Sequence, residues 1–439
     1  MTSVAVSLIF IIIAFILFFV LSFKGVNLFA VVLLCAAVVS LATEGGLGSI
    51  FTAFLPTMAN TLSSLFLMYT IGGAFGFALM DSGLGSSIAY SLIGKFGKKN
   101  VSIILFVITC LLVAGGVQSY QFAILAIALP ILKEANLPKK VALAAMSAGG
   151  GSVVYGCLVG MPTALNVAPT TFLGTTTAAG LPISLICSAF EIVFVVLYLR
   201  WLTKRCYEKK EGFVAAPDDV IIENDEGGKN LPEAWKGYIC IAAVIGLSLL
   251  FQYGLKVTAT AAVVYGMFCG IVICFLLVGK RFLPHLLKTC VNGFTSCISP
   301  IVLICMVVGY GAVVQQTAGF SWIVSKVLSM NMHPYLLAFL AVNILSGLCA
   351  NGVAGVTLFM GTFGDQLAAN SAINLGALHR ICTIAGSGFD SLPHNGAIAF
   401  QLSVFKLNYK EGYFQQFMCS VVVNVLAGLL ATILAIALF

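Results

Sequence analysis

Charged side chains are what this chain has least of: Asp, Glu, Lys and Arg make up 8% of it, against 60% hydrophobic residues and a mean hydropathy of +1.09. A water-soluble domain of that composition would have to cover its surface in apolar patches, so the chain is read as living in a bilayer. Its apolar runs suit helices of about 20 residues, whereas barrel strands would need only about ten alternating residues. The features of a secretory leader are missing too: Val4 to Leu21 has no basic residue before it and no small-residue cleavage site after it, so it is expected to be the first span. The 14 cysteines form no CxxC pair and no even extracellular spacing, which leaves disulfides and a metal site unsupported and the thiols as small buried hydrophobes. HExxH and GxSxG are absent as well. No enzyme and no cofactor are expected, and the net charge of +7 reports which loops face the cytoplasm rather than an affinity for nucleic acid.

What is present is a pattern of spans. They are predicted at Val4 to Leu21, Asn27 to Ala42, Met58 to Leu79, Pro182 to Leu199, Gly237 to Phe251, Thr258 to Leu277, Ile298 to Val314 and Phe414 to Ala437. Two pairs of apolar stretches are too short to cross ~30 Å of hydrocarbon at 1.5 Å per residue. These are Ile103 to Ala114 with Tyr120 to Leu132, joined by GGVQSY, and Tyr335 to Ser346 with Val353 to Gln366, joined around GLCANG. Lys98 and Lys99 precede the first pair and Lys133, Lys139 and Lys140 follow it, so both of its ends are assigned to the cytoplasm and it is read as a re-entrant hairpin; the second pair repeats the pattern. With both termini outside, all 22 Lys and Arg except Lys256, Lys326 and Arg380 fall on the cytoplasmic side.

The halves match element by element, with Glu134 and Asp365 in equivalent places, and the first enters from outside while the second enters from inside. The expected fold is an all-α polytopic membrane protein: an inverted-topology repeat with two re-entrant hairpins and two helices broken by Gly and Pro. Between the repeats, Thr203 to Glu233 holds eight of the 15 acids and no apolar period, and is read as a solvated, mobile cytoplasmic linker.

Irregular backbone at membrane depth is tolerated only where it is buried or lines a wet cavity, which points to a secondary transporter whose site lies where the irregularities meet. There are four: the hairpin tips GGVQSY and GLCANG, and the breaks YGCLVGMPTALNVAPTT and GSGFDSLPHNG. Half-helix N-termini there offer backbone N–H groups to an anion such as a carboxylate. Gln118, Ser119, Tyr120, Thr163, Asn166, Thr170, Asn351, Ser391 and Asn395 add amides and hydroxyls, and Gly352 opens the second hairpin's return. The alternative use of these groups is as kinks and interhelical hydrogen bonds.

Outside the linker seven acids remain, and of these Asp390, with His394 four residues on, and Glu191, in the middle of a span, are placed to carry a proton. Two structural alternatives stand beside that role: Asp390 as the cap of the half-helix that follows it, and Glu191 as the ion-pair partner of Arg380.

GSGFDSLPHNGAIAF resembles the corresponding segment of the gluconate:proton symporter family, most closely its D-beta-hydroxybutyrate permease-like branch, and YGCLVGMPTALNVAP takes the place of the Pro-rich break after the first hairpin. The resemblance carries over Asp390, Ser391, Pro393, His394 and Asn395 from the second break, and Pro162, Thr163 and Pro169 from the first. It implies the ion transporter superfamily fold, commonly homodimeric, working as an elevator. In that frame residues 1–100 and 236–332 are the scaffold, 101–201 and 333–439 the transport domain, and 202–235 the linker. Leu84 to Phe96 and Phe320 to Leu328 are expected to lie along the membrane surface as connecting arms.

The leading functional expectation is proton-coupled symport of a small hydroxy-monocarboxylate, 3-hydroxybutyrate or a gluconate-like organic anion, in the bacterial inner membrane. Sodium coupling is the runner-up. The reading from a different class is an intramembrane hydrolase on GTFGD, Gly361 to Asp365, but the glycine spacing is wrong and no partner Asp stands in a matching helix.

Overall fold

The computed structural model describes every residue except 1, 2, 118, 162, 218, 222–230 and 280–282. Gln118 and Pro162, both expected at the site, therefore lie outside the described residues. No strand occurs among the described residues; Thr43 and Thr317 form one isolated antiparallel bridge. That is the solution open to a chain with so few polar side chains, since a helix satisfies its own N–H and C=O groups without water.

The first half runs α1 (Val4–Phe23), α2 (Leu28–Ser40), α3 (Leu55–Asp81), α4 (Leu84–Phe96), α5 (Val101–Ala114), α6 (Tyr120–Ala135) and α7 (Lys139–Ala148). A π-helical segment, Gly149–Cys157, continues α7, and the short α8 (Ala164–Val167) and α9 (Thr170–Leu173) lead to α10 (Leu181–Glu208). The second half runs α11 (Ala234–Leu249), α12 (Ala259–Val278), α13 (Leu286–Gln315), α14 (Ala318–Leu328), α15 (Pro334–Cys349), α16 (Gly352–Ala369), α17 (Leu375–Gly386), α18 (Gly396–Phe405), α19 (Tyr409–Gln416) and α20 (Val423–Leu438). Among the described residues seven helical stretches are long and apolar enough to cross a bilayer, so the protein is an all-α, multi-pass membrane protein.

The two short pairs form packed hairpins. Lys98 Nζ lies 2.7 Å from Glu134 Oε1, which holds the entry to α5 and the exit of α6 at one level. At the other tip the Asn351 N–H donates to Ser346 O (3.1 Å), closing α15 onto α16. The arms fall on α4 and α14, and α4 meets the helix that carries α5 at a bend of 110°. The long helices α3 and α13 cross at small residues: a Cβ on Gly293 would sit 2.5 Å from Ala74 Cα, so only glycine lets the backbones approach this closely.

Two expectations need correction. Asn27 to Ala42 is not a full span: α2 is a 13-residue helix, about 20 Å long at 1.5 Å per residue, and the glycines at 45, 46 and 48 break it from α3. The linker is not simply solvated. Helix α10 continues to Glu208 because Tyr198, Leu199, Leu202 and Cys206 still face the core at helical spacing. Beyond it, Asp219 is buried between Lys139 Nζ (2.5 Å) and Lys406 Nζ (3.7 Å), and Lys140 Nζ meets Glu211 at 2.5 Å. The Asn136 side chain takes the Phe213 N–H, and Ser87 Oγ donates to Pro232 O (2.6 Å). Asp219 and Glu211, read from composition as solvated charge, instead strap one end of the helices, and the buried Lys139 thereby has a counter-ion.

Candidate functional site

A cavity of about 270 Å³ opens where all four irregular segments meet. The first hairpin contributes Gly116, Val117, Tyr120 and Gln121, and the second Ala350, Asn351 and Gly352. The first break contributes Gly150, Gly151, Tyr155, Thr163 and Ala164; the second contributes Asp390, Ser391 and Asn395 through Ile398. Val113, Ser147, Gln401 and Ser420 add to these walls, and α3 and α13 contribute Tyr69, Ile304 and Val308. Neither Lys, Arg nor His lines the cavity among the described residues, and Asp390 is its one carboxylate.

Local chemistry explains why helices start here. Asn351 caps α16 by accepting from the Ala354 N–H (3.1 Å), and Asn395 caps α18 by accepting from Ala397 (2.7 Å) and Ile398 (3.1 Å). The N-termini of α6, α16 and α18 thus all face the cavity with the positive ends of their dipoles. Thr163 Oγ1 donates to Tyr155 O (2.8 Å) and accepts from the Asn166 N–H (3.3 Å), pinning the first break across its own gap.

Asp390 sits in a single 3-10 turn, Phe389–Ser391; its Oδ1 accepts from Ser391 Oγ (2.8 Å), and the Gly352 N–H faces the same carboxylate. It does not cap α18, the structural alternative considered for it, because Pro393 and His394 intervene and Asn395 occupies the cap. His394 turns the other way. Its Nε2 is 2.7 Å from Gly347 O and its ring meets Phe15 of α1 edge-on at 4.5 Å, so it buttresses the second hairpin tip outside the cavity lining.

Several other expected residues also lie outside the lining. Ser119 Oγ is against Met267 Sδ of α12 at 3.1 Å. Pro393 offers its carbonyl to Tyr409 Oη (2.7 Å), Pro169 precedes α9, and Thr170 Oγ1 donates to Val167 O (2.7 Å). Asn166 joins a buried network behind the break: its Oδ1 accepts from Arg380 Nη1 (3.1 Å) and lies 3.2 Å from His379 Nε2. Arg380, wholly buried, also donates to the carbonyls of Thr177 (3.1 Å), Ala179 (2.9 Å) and Gly156 (3.4 Å). It makes no ion pair with Glu191 among the described residues; five neutral acceptors replace the expected carboxylate. Glu191 is fully buried near Cys157, with neither oxygen hydrogen-bonded.

Sequence reasoning missed Tyr69, Gln121, Ser147, Tyr155, Gln401 and Ser420, all in the lining. Gln401 had a signal, an amide in the otherwise apolar AIAFQLSVF, and Gln121 adjoins a tip. Tyr69 had none.

An all-helical membrane protein whose hairpins and broken helices line a cavity has the organisation of a membrane transporter, and the family comparison agrees. The chain belongs to the GntP family of permeases, whose family model matches residues 4–438. It is similar to the high-affinity gluconate transporter of Escherichia coli, 24% identical over 424 residues that cover 89% of this chain and 90% of that protein. It is likewise similar to the uncharacterized transporter YxjC of Bacillus subtilis, 22% identical over 432 residues that cover 89% and 91%. Among solved structures it is similar to the YdaH transporter of Alcanivorax borkumensis (TM-score 0.41, 16% identity, 90% of this chain and 89% of that one). MtrF of Neisseria gonorrhoeae follows (TM-score 0.39, 13% identity, 90% and 86%). The protein is a membrane permease of the GntP family.

Proposed function

We propose that the chain is a proton-coupled symporter of a small hydroxy-monocarboxylate, of the 3-hydroxybutyrate or gluconate-like size. One observation carries this reading: the cavity combines helix N-termini suited to a carboxylate with a single acid, Asp390, and no fixed cation. A carboxylate bound beside an ionised Asp390 would put two negative charges a few ångströms apart, a repulsion on the order of 4 kcal/mol at 4 Å and an effective dielectric constant of 20. Taking up one cation with the anion removes it. A proton on Asp390 is the simplest such cation; His394, off the cavity, positions the second tip, and Glu191 is the reserve carrier.

The reading includes an elevator cycle within an inverted repeat. Residues 101–201 and 333–439 carry the polar wall past a scaffold of 1–100 and 236–332, which dimerises. It is supported by the origin of the polar lining: Gln121, Thr163, Asn351, Asp390, Ser391 and Asn395 all come from 101–201 and 333–439, while α3 and α13 contribute Tyr69, Ile304 and Val308. Membrane orientation is proposed with both termini outside, in a bacterial inner membrane.

The test is uptake into proteoliposomes under a proton gradient alone, then a sodium gradient alone. We expect the proton gradient to drive accumulation, Asp390→Asn to abolish it, and counterflow exchange to persist, because a neutral amide mimics one protonation state and cannot reach the other. Accumulation driven by sodium alone would establish the second reading, in which backbone carbonyls and the Asn351 side chain of the GLCANG tip hold the ion. Proton-driven accumulation surviving in Asp390→Asn would move the coupling to Glu191.

A further inference from the structure

We infer that the part of the cavity built on the first hairpin is a hydroxyl-recognising subsite formed by Gln121 and Tyr120 and held in place by Gln401; the inference rests on the carboxylate reading of the cavity. Gln121 lines the cavity in the first turn of α6, is 4% exposed, and its Oε1 has no hydrogen-bond partner. A buried acceptor left unpaired is a standing cost, and at a cavity wall a ligand donor removes it. Beside it, the Tyr120 hydroxyl accepts from Gln401 Nε2 (3.3 Å) and lies against the Gln121 amide. Among the described residues nothing accepts the Tyr120 hydroxyl proton.

The placement of these groups is set by their neighbours. Gln401 Oε1 accepts from Ser147 Oγ (2.9 Å) and from Gln416 Nε2 (2.8 Å), which fixes its amide with Nε2 toward Tyr120. Across from the phenol stands Gly150, where a Cβ would fall 2.0 Å from Tyr120 Oη, so only glycine leaves the hydroxyl its place. The result is one uncommitted acceptor, Gln121 Oε1, next to one uncommitted donor, the Tyr120 O–H. An alcohol satisfies both at once, since it donates one hydrogen bond and accepts another. A second carboxylate, acceptor-only, would meet Gln121 Oε1 oxygen to oxygen. The subsite therefore selects monocarboxylates that also carry a hydroxyl.

The experiment is calorimetric titration of purified protein in lipid nanodiscs with two ligand pairs, 3-hydroxybutyrate against butyrate and gluconate against hexanoate. In at least one pair the hydroxylated member should bind about tenfold tighter or more. That ratio should fall toward one in Gln121→Met and in Tyr120→Phe, two changes that keep side-chain bulk; the unmutated comparison stands even where a variant fails to fold. Binding of an anion with no preference for the hydroxyl in either pair, or a ratio unchanged in folded Gln121→Met, overturns the subsite and leaves the carboxylate reading intact. Binding of none of the four ligands overturns both.

Discussion

Asn395 joins two elements with one amide. Its Oδ1 caps α18, and its Nδ2 donates to Ala350 O (2.9 Å) at the tip of the second hairpin. The two roles separate by substitution. Asn395→Asp keeps the cap, since Asp and Asn are near-equal N-caps, but loses the donor to Ala350 and adds a charge beside Asp390. We expect hydrogen exchange at residues 350–352 to rise severalfold in this variant while α18 stays protected; unchanged exchange at the tip would show that the Ala350 bond does not hold it. Asp390 and His394 show what the sequence could and could not reveal at this scale. Their shared break and its polarity were legible, because Gly, Pro and Asp stand out in an apolar chain. The direction of each side chain was not, since four residues of broken helix set no common face: Asp390 turns into the cavity and His394 toward Phe15.

Among elements, the two short helix pairs were the most legible, because half-length apolar runs flanked by lysines leave few alternatives; the bounds of α4 are likewise the expected Leu84 to Phe96. The linker was the least legible. Composition alone made it solvated, and only the fold places Asp219 between Lys139 and Lys406. Asp219→Ala would leave Lys139 buried without its counter-ion, and removing one member of a buried pair costs about 3–5 kcal/mol. Thermal unfolding in detergent should show this as a lowered Tm, with little change for Glu233→Ala, whose partner Lys236 sits at the surface. The clasp between Lys140 and Glu211 adds a pH dependence. Lys140 holds the Glu211 carboxyl below the usual range, so this contact is present at neutral pH and is lost as pH falls through the lowered value.

At the scale of the molecule, the order of elements read from hydropathy and charge survives in the fold, while the way the two halves interlock needed long-range contacts that no local pattern encodes. The tip of the first hairpin touches the proposed scaffold at Ser119 and Met267. If the hairpins move past that scaffold, a Ser119→Cys, Met267→Cys pair in a background freed of the 14 native cysteines should lose uptake on oxidation and regain it on reduction. Full uptake by the oxidised pair would mean that these helices travel together.

Arg380 carries a consequence for how the chain is made. Helix α17 is 12 residues long and holds His379 and Arg380 at its centre, too short and too polar to enter the bilayer unaided. The groups that accept from Arg380 belong to Asn166, Gly156, Thr177 and Ala179, more than 200 residues earlier in synthesis. Until α17 arrives, Asn166 Oδ1 and the Gly156 and Ala179 carbonyls are without the guanidinium, while the Thr177 carbonyl still holds the Gly160 N–H (2.9 Å) and Asn166 Nδ2 (3.2 Å). Biogenesis is therefore a joint event. We expect the halves to mature together rather than as independent modules, because Arg380 can be buried only where first-half acceptors already stand.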